Sequence, residues 1–354
     1  MPFNFYDTHT LLMSVRDLEP SRTFLRDRYF PTNDNTDVFS TTDVLVEYMD
    51  GGKRLAPFVV PRAGGVPVAR NGYEMVRYTP ACIKPKRTLS IDDLTRRGFG
   101  EALLSTLTPE QRQNVRLMAD ADDLIGMIRR REEAMAAETM LTNGCVMQHI
   151  ADDGKVADEQ EVRFYAEEAN PAAYTPSGTW ATDYDKILDD LAVMVRMLTT
   201  LGLPATELLM APDVADAIVK NRTIKELFDI RNYNLGNVKP EELPAGAAKV
   251  CTLNVMGRMI DAISYDETYI DGNGKRQQYI PAGNIVLTAP GCGRTLYGAV
   301  SQVEQADGAF HTYTGRYVPK YLADATDNTR SLTMTSCPLL VPNHKNPFIT
   351  AKVL

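Results

Sequence analysis

The residues with the best prospect of chemistry lie in four places. The first is the glycine cluster APGCGRTLYG, Ala289 to Gly298. Gly291 and Gly293 fit the start of a G-x-G-x-x-G phosphate loop, but the third glycine falls at 298, two residues late. The bend also leads into a strand pattern rather than a helix, so no helix N-terminus is there to hold a phosphate, and a strand-to-strand bend is the favoured reading. The second is the basic run Ile83 to Arg97, with Lys84, Lys86, Arg87, Arg96 and Arg97 around Asp92 and Asp93. It reads as a phosphate-backbone patch or as partners for nearby acidic groups, and a net charge of −8 favours pairing.

The third is a set of carboxylate pairs: Asp122-Asp123, Asp152-Asp153, Glu167-Glu168, Asp189-Asp190 and Glu241-Glu242. Adjacent residues do not face one another on a helix or strand, so none forms an acid–base couple by spacing alone. DDGK and DGNGK lack the ligand ladder of a calcium loop. The fourth is thiol and imidazole. Cys82, Cys145, Cys251, Cys292 and Cys337 contain no C-x-x-C pair, and His9, His149, His311 and His344 are scattered. Buried free thiols are expected rather than zinc or a disulfide framework. No Ser, His and Asp stand in a nucleophile motif. The sequence therefore offers no catalytic, cofactor-binding or metal residue, and no cofactor.

The elements that carry these residues are clearer than the residues themselves. Thr108 to Asn143 reads as one helix of roughly 50 Å, about three times the usual length. Thr108, Pro109 and Gln111 make a capping box with proline at the first position, and Asn143-Gly144 offers a left-handed stop. Val115, Met118, Ala121, Leu124, Ile125, Ile128, Met135 and Leu141 mark one apolar stripe; Arg112, Arg116, Asp120, Asp123, Arg129, Arg130 and Glu133 are expected on the opposite, charged side. With no other helix of comparable length, this rod is expected to lie across a sheet.

Before it, residues 1–43 hold the anchors Phe24, Leu25, Tyr29 and Phe30 in a polar segment, expected as an arm lying on something else. Val44 to Arg87 reads as extended: VLVEYM, a turn at Asp50-Gly51-Gly52, LAPFVV, a Gly/Pro-rich tip and YEMVRYTP. Such a proline-studded hairpin is usually a lid or an arm over a neighbour. After the rod come a hairpin around Asp153-Gly154, a helix from about Asp183 to Leu201, the strand TELLMA, and helices at PDVADAIV and RTIKELFD. From Lys249 the chain is mainly strands. Without regular β-α-β alternation the class is α+β.

Composition is that of a soluble globular chain, 44% apolar and 24% charged. No apolar run is long enough to cross a bilayer, and the N-terminus lacks a signal peptide's pattern, so a cytosolic product with no membrane partner is expected.

Three stretches carry a family resemblance: YTPACIKPKRTL (Tyr78 to Leu89), YIPAGNIVLTAPGCGRTLYGAVSQVEQADG (Tyr279 to Gly308) and RSLTMTSCPLLVPNHKNPFITAKVL (Arg330 to Leu354). SGTWATDYD, MAPDVADAI and YIDGNGKRQQYIP fit as well. The chain resembles the lambda-type major capsid proteins, the capsid protein E family of tailed phages, from about residue 44 to its end. The resemblance implies the Hong Kong 97-type coat fold: an N-terminal arm (1–43), an extended-loop hairpin and its base (44–90), a peripheral domain with the spine helix (91–187), an axial domain (188–328), and C-terminal strands returning to the peripheral domain (329–354). It implies a non-enzymatic subunit that assembles with itself into hexamers and pentamers of an icosahedral procapsid, expanding as double-stranded DNA is packaged. Scaffolding, portal and decoration proteins are the implied partners, DNA is contacted non-specifically, and the chain resides in the virion after assembly in the host cytoplasm. The alternatives are a cellular nanocompartment shell of the same fold, and an α+β enzyme using the Gly291–Gly293 bend.

Overall fold

The computed structural model describes residues 23–49, 72–91, 93, 108–151, 156–181, 186–221, 236–237, 241–243, 246–272, 274–305 and 308–354. The first 22 residues, the Asp50-Gly51-Gly52 turn, LAPFVV, most of the glycine/proline tip, the Asp153-Gly154 turn and the RTIKELFD helix lie outside the described residues.

Among the described residues there are four helices: α1 (Phe24–Tyr29), α2 (Pro109–Thr142), α3 (Lys186–Leu201) and α4 (Pro212–Lys220). The spine, α2, is 34 residues long. Its ends follow local chemistry. The Gln111 amide donates to Thr108 Oγ1 at 3.3 Å, and Gln111 Oε1 accepts from the Thr108 N–H at 3.0 Å. Asn143 stops the helix in the left-handed region at φ 54° and donates its N–H to Thr139 O at 2.9 Å.

The spine does lie across a sheet. Its first half covers the three-stranded sheet of Val318–Asp324, Thr329–Thr335 and Lys86–Ser90. Leu117, Ala121, Leu124, Ile125 and Ile128 pack there with Tyr317, Leu332 and Met334. The buried stripe is rotated from the expected one. Leu117 and Gln113 are buried, Met118 is half-buried, and Val115 is 63% exposed. Steps of four and three from 113 through 117, 121, 124 and 128 hold one face, whereas 115, 118, 121 drifts across it.

The main core belongs to an eight-stranded sheet. Its order runs Ala173–Tyr174, Ile349–Lys352, Asn284–Thr288, Glu207–Met210, Arg258–Tyr265, Ala247–Val255, Gly236–Asn237, with Glu241–Glu242 also on Ala247–Val255. Glu207–Met210 is buried throughout and sits centrally, antiparallel to Asn284–Thr288 and parallel to Arg258–Tyr265. Strands buried on both faces read as continuous apolar runs, as LLM and IVL do here. Helix α3 packs on this sheet through Ile187, Leu191, Met194, Val195 and Leu198. Trp180 is locked beside it: its N–H donates to Val353 O at 2.8 Å and its indole to Asp190 Oδ2 at 2.9 Å.

Two further antiparallel strand pairs pack one face on the core. Val44–Met49 pairs with Tyr73–Tyr78, burying Val44 and Val46 and leaving Leu45 and Met75 outward. Gly144–Ile150 pairs with Val156–Arg163.

The strands of 329–354 join different sheets. Thr329–Thr335 pairs with Lys86–Ser90 over the spine. Ile349–Lys352 instead enters the large sheet beside Asn284–Thr288. Residue 328 falls in the turn joining Val318–Asp324 to Thr329–Thr335, so those partners belong to one hairpin. Strand pairing, invisible in apolar runs of similar composition, makes this division.

Candidate functional site: a helix that bolts spine to sheet

The polar side chains that converge in the described residues do so around α1. This six-residue helix cannot hold itself in water. Thr23, at its N-cap, makes no side-chain cap. Glu133 of the spine caps it from a distance, its two oxygens accepting the Leu25 N–H at 2.7 Å and the Arg26 N–H at 2.9 Å. Free N–H groups and the positive end of the helix dipole both favour a carboxylate there. The Tyr265 hydroxyl completes the set, donating to Glu133 Oε1 at 2.7 Å.

Glu132 faces a different group. Its Oε2 lies 2.9 Å from Arg26 Nε, and its oxygens accept from Tyr297 (3.0 Å) and Tyr317 (3.2 Å) hydroxyls. The Tyr297 oxygen in turn accepts from Arg26 at 2.9 Å. Arg129 lies over the Tyr317 ring, 5.7 Å from its centroid. A third carboxylate comes from the sheet. Glu207 accepts from Arg28 Nε at 2.8 Å and the Tyr29 hydroxyl at 2.8 Å, and pairs with a second Arg28 nitrogen. Helix α1 is thus pinned by two spine carboxylates on one side and a central sheet carboxylate on the other.

Glu132 and Glu133 are 0% and 1% exposed. Burial pushes both carboxyls above the ordinary carboxylate range, against the pull of Arg26 on Glu132 and of the α1 amides on Glu133. Burial alone would lower the Arg26 guanidinium, but Glu132 and the tyrosines outweigh it and hold it above its already high ordinary value. Burial and the Glu132 charge push Tyr317 up to about 12.

Two expectations are corrected here. Arg129 and Glu133, placed by sequence on the charged outer side of the spine, are buried. The anchors Phe24, Leu25, Tyr29 and Phe30, expected on another surface, are buried in the chain's own main core. The pair Glu132-Glu133 was not among the carboxylates singled out by sequence. One signal points to it: four residues on from Ile128 is 132, and four on from 132 is Ala136, so the buried stripe runs straight through the acid.

The glycine bend has a physical explanation that needs no nucleotide. A Cβ on Gly293 would meet the Phe30 ring at 2.3 Å, and one on Gly298 would meet Thr42 O at 2.8 Å. Gly291 takes φ +69° and donates to Arg28 O at 3.0 Å. Tyr297 and Ala299 donate to Asp37 and Thr41 carbonyls, and the Tyr297 carbonyl accepts from Phe39. The cluster is the bed on which residues 28–42 lie.

In the basic run, Arg87 pairs with Asp120 at 3.2 Å and with Asp123 on the spine. Lys84 and Lys86 are exposed, while Arg96, Arg97 and Asp92 lie outside the described residues. Asp93 accepts from the Ser90 amide and hydroxyl. Asp190 is a buried acceptor for Trp180 and Tyr174. Glu167 and Glu168 are exposed, and Asp152-Asp153 lies outside the described residues. Asp271 closes the DGNGK turn by accepting from the Lys275 amide at 2.8 Å. Among the described residues no group of three potential metal ligands gathers, and no helix is long and apolar enough to cross a membrane.

The thiol expectation is half overturned. Cys145, Cys251 and Cys292 are free and buried, but Cys82 and Cys337 form a disulfide across 255 residues of sequence. Spacing along the chain could not reveal it, because the pair is made by strand register.

A long helix bolted across two sheets, with two antiparallel strand pairs packed on the same core, is the Hong Kong 97-type coat fold. A chain from E. coli CFT073 described as a prophage capsid protein shares it at a TM-score of 0.66, with 17% identity over 98% of this chain and 99% of that one. The mature capsid of bacteriophage PhiM1 (TM-score 0.44, 10% identity, 95% and 89% covered) and the SrpI encapsulin of Synechococcus elongatus PCC 7942 (0.45, 12%, 97% and 95%) are more distant. No curated protein matches the chain. The chain belongs to the phage major capsid protein E family, whose model matches residues 7–353. It is a structural protein of the phage capsid.

Proposed function

We propose that the chain assembles into hexamers and pentamers that close an icosahedral procapsid, and that this shell expands when double-stranded DNA is packaged. The observation that carries the reading is the family match over residues 7–353. The surface supports it. Leu45 and Met75 stand outward on one hairpin, and Val146, Ile150 and Val156 on the other, as side chains awaiting a neighbouring copy do. A net charge of −8 suits a wall that confines DNA without gripping it.

In this reading residues 44–90 are the extended loop and its base, 91–187 the peripheral domain, and 188–328 the axial domain. The pairing of Ile349–Lys352 with Asn284–Thr288 favours counting the last strand with the axial part. Scaffolding, portal and decoration proteins are the partners, assembly takes place in the host cytoplasm, and the chain performs no catalysis.

Light scattering and negative-stain microscopy of the expressed chain test the assignment. Closed shells are expected; a small fixed oligomer that binds nucleotide would sink it. Deleting Pro61 to Asn71 is expected to leave a folded, soluble chain that forms no normal shells. Normal shells from that deletion would remove the extended-loop assignment.

A further inference from the structure

Cys82 and Cys337 are adjacent through strand register rather than chance approach. The Ile83 and Ser336 amides and carbonyls exchange both hydrogen bonds, at 2.7 and 3.0 Å. The next pair along, Cys82 opposite Cys337, is therefore a non-hydrogen-bonded position, where side chains come closest, and its Cα atoms are 4.1 Å apart. The two thiols differ in access. Cys337 is buried, whereas Cys82 is exposed and lines a cleft of about 860 Å³ between the spine and the strand Gly144–Ile150. Lys84 and Arg131 line the same cleft, with Glu138 the carboxylate among them. Cations lining a cleft attract anionic reagents into it.

We propose that Cys82 and Cys337 are a reversible redox pair, a dithiol in a reducing cell interior and a disulfide once the particle is outside, with a small anionic disulfide such as glutathione disulfide entering the cleft as oxidant. The Cys82 thiolate attacks one sulfur of the oxidant, forming a mixed disulfide and releasing one glutathione thiolate, which takes up a proton. Cys337 loses its proton and attacks the Cys82 sulfur, releasing the second glutathione as a thiol. Two protein thiols are oxidised and one glutathione disulfide is reduced to two thiols. Cellular glutathione drives the reverse. The other three cysteines do not compete: all are buried, and burial raises Cys145 and Cys292 and takes Cys251 to about 11.

The bond sits where mechanical load would arrive. Cys82 follows the strand Tyr73–Tyr78, which pairs with Val44–Met49, and Cys337 joins Thr329–Thr335 to Pro338–Pro342, which pack on the spine. Tension reaching Tyr73–Tyr78 from a neighbouring copy would load the two hydrogen bonds at Ile83–Ser336, and the disulfide stops them opening. This role rests on the coat reading above.

The test is to trap thiols with acid and N-ethylmaleimide in expressing cells and again after purified particles meet glutathione disulfide. Mass spectrometry of the unfolded chain is expected to find five labelled cysteines in the first sample and three in the second. Three in the cells, or five after oxidant, overturns the proposal. Reductant is expected to lower the melting temperature of oxidised particles by on the order of 5 °C. The variant Cys82→Ser with Cys337→Ser should melt like the reduced particle and ignore reductant, and Cys82→Ser alone serves if the double variant does not fold. Equal melting with and without reductant in the natural chain overturns the locking role. The trapping measurement works on unassembled chain too, so a chain that switches its cysteines but forms no shell would refute the coat reading alone.

Discussion

The two halves of the spine are one continuous helix buried in opposite ways. From Pro109 to Ile128 it presents aliphatic side chains to Tyr317, Leu332 and Met334, a self-contained apolar contact. From Arg129 to Thr142 it adds Met135, Ala136, Ala137 and Met140 to the main core, but it also carries Glu132 and Glu133 inside. The first half needs only apolar surface opposite it. The second needs particular partners, Arg26, two α1 amides and three tyrosines, at hydrogen-bonding distance. Apolar burial tolerates approximate packing, whereas a buried carboxylate tolerates no missing partner. The first half is an adhesive surface and the second is a keyed joint.

The sharpest break of that contrast is Glu132→Ala. It strands the Arg26 guanidinium without its buried counter-charge, and a loss of about 4 kcal/mol is expected in urea unfolding of the unassembled chain. A loss below about 1 kcal/mol would show the joint to be no more than packing. Leu124→Ala, in the first half, should cost about 3 kcal/mol through the cavity it leaves. It should do so without loosening α1, which hydrogen exchange at Leu25 and Arg26 would report.

Glu133 sharpens the comparison through pH. Its folded pKa is raised above the ordinary 4.5, so the folded chain holds this proton more tightly than the unfolded one. The residue's contribution is fullest below that ordinary value and declines as pH rises towards the folded pKa. Glu133→Gln removes the titration. The melting temperature of the natural chain minus that of the variant is expected to shrink from mild acid towards neutrality. A difference that grows over the same range would mean the α1 amides, not burial, dominate the site.

The smallest effect belongs to an ion pair on the same helix. Arg87 meets Asp120 and Asp123 on the partly exposed side of the first half. Arg87→Ala should cost under about 1 kcal/mol and less at high salt, because water screens the pair. Arg87 and Arg26 thus make the same kind of bond to one helix, and only burial separates their expected costs.

How much was legible follows the same divide. Thr108, Gln111 and Asn143 announced both ends of the spine, because capping is decided by residues within one turn. VLVEYM and YEMVRYTP were legible as strands, but Val44, Leu45 and Val46 are all apolar, so which of them face inward was not. The drift of Val115 out of the stripe, and the entry of Glu132 into it, were legible only as arithmetic on helical steps. The resemblance carried by Tyr78 to Leu89, Tyr279 to Gly308 and Arg330 to Leu354 reached the family and the coat fold. It could not reach the bolt, because the residues preceding 44 lay outside it.

By itself the sequence determined the long helix, the α+β class, the family and the strand-to-strand nature of the glycine bend. These rest on periodicity, capping and motif order, which act locally or are read in chain order. Tertiary structure alone decided that α1 belongs to its own subunit's core, that Gly293 is small for the sake of Phe30, that the last strand enters the large sheet, and that Cys82 meets Cys337. Each depends on groups far apart in the chain, 108 residues between Leu25 and Glu133 and 255 between the two cysteines. A charge or a thiol carries no mark of its partner until folding brings the two within a few ångströms.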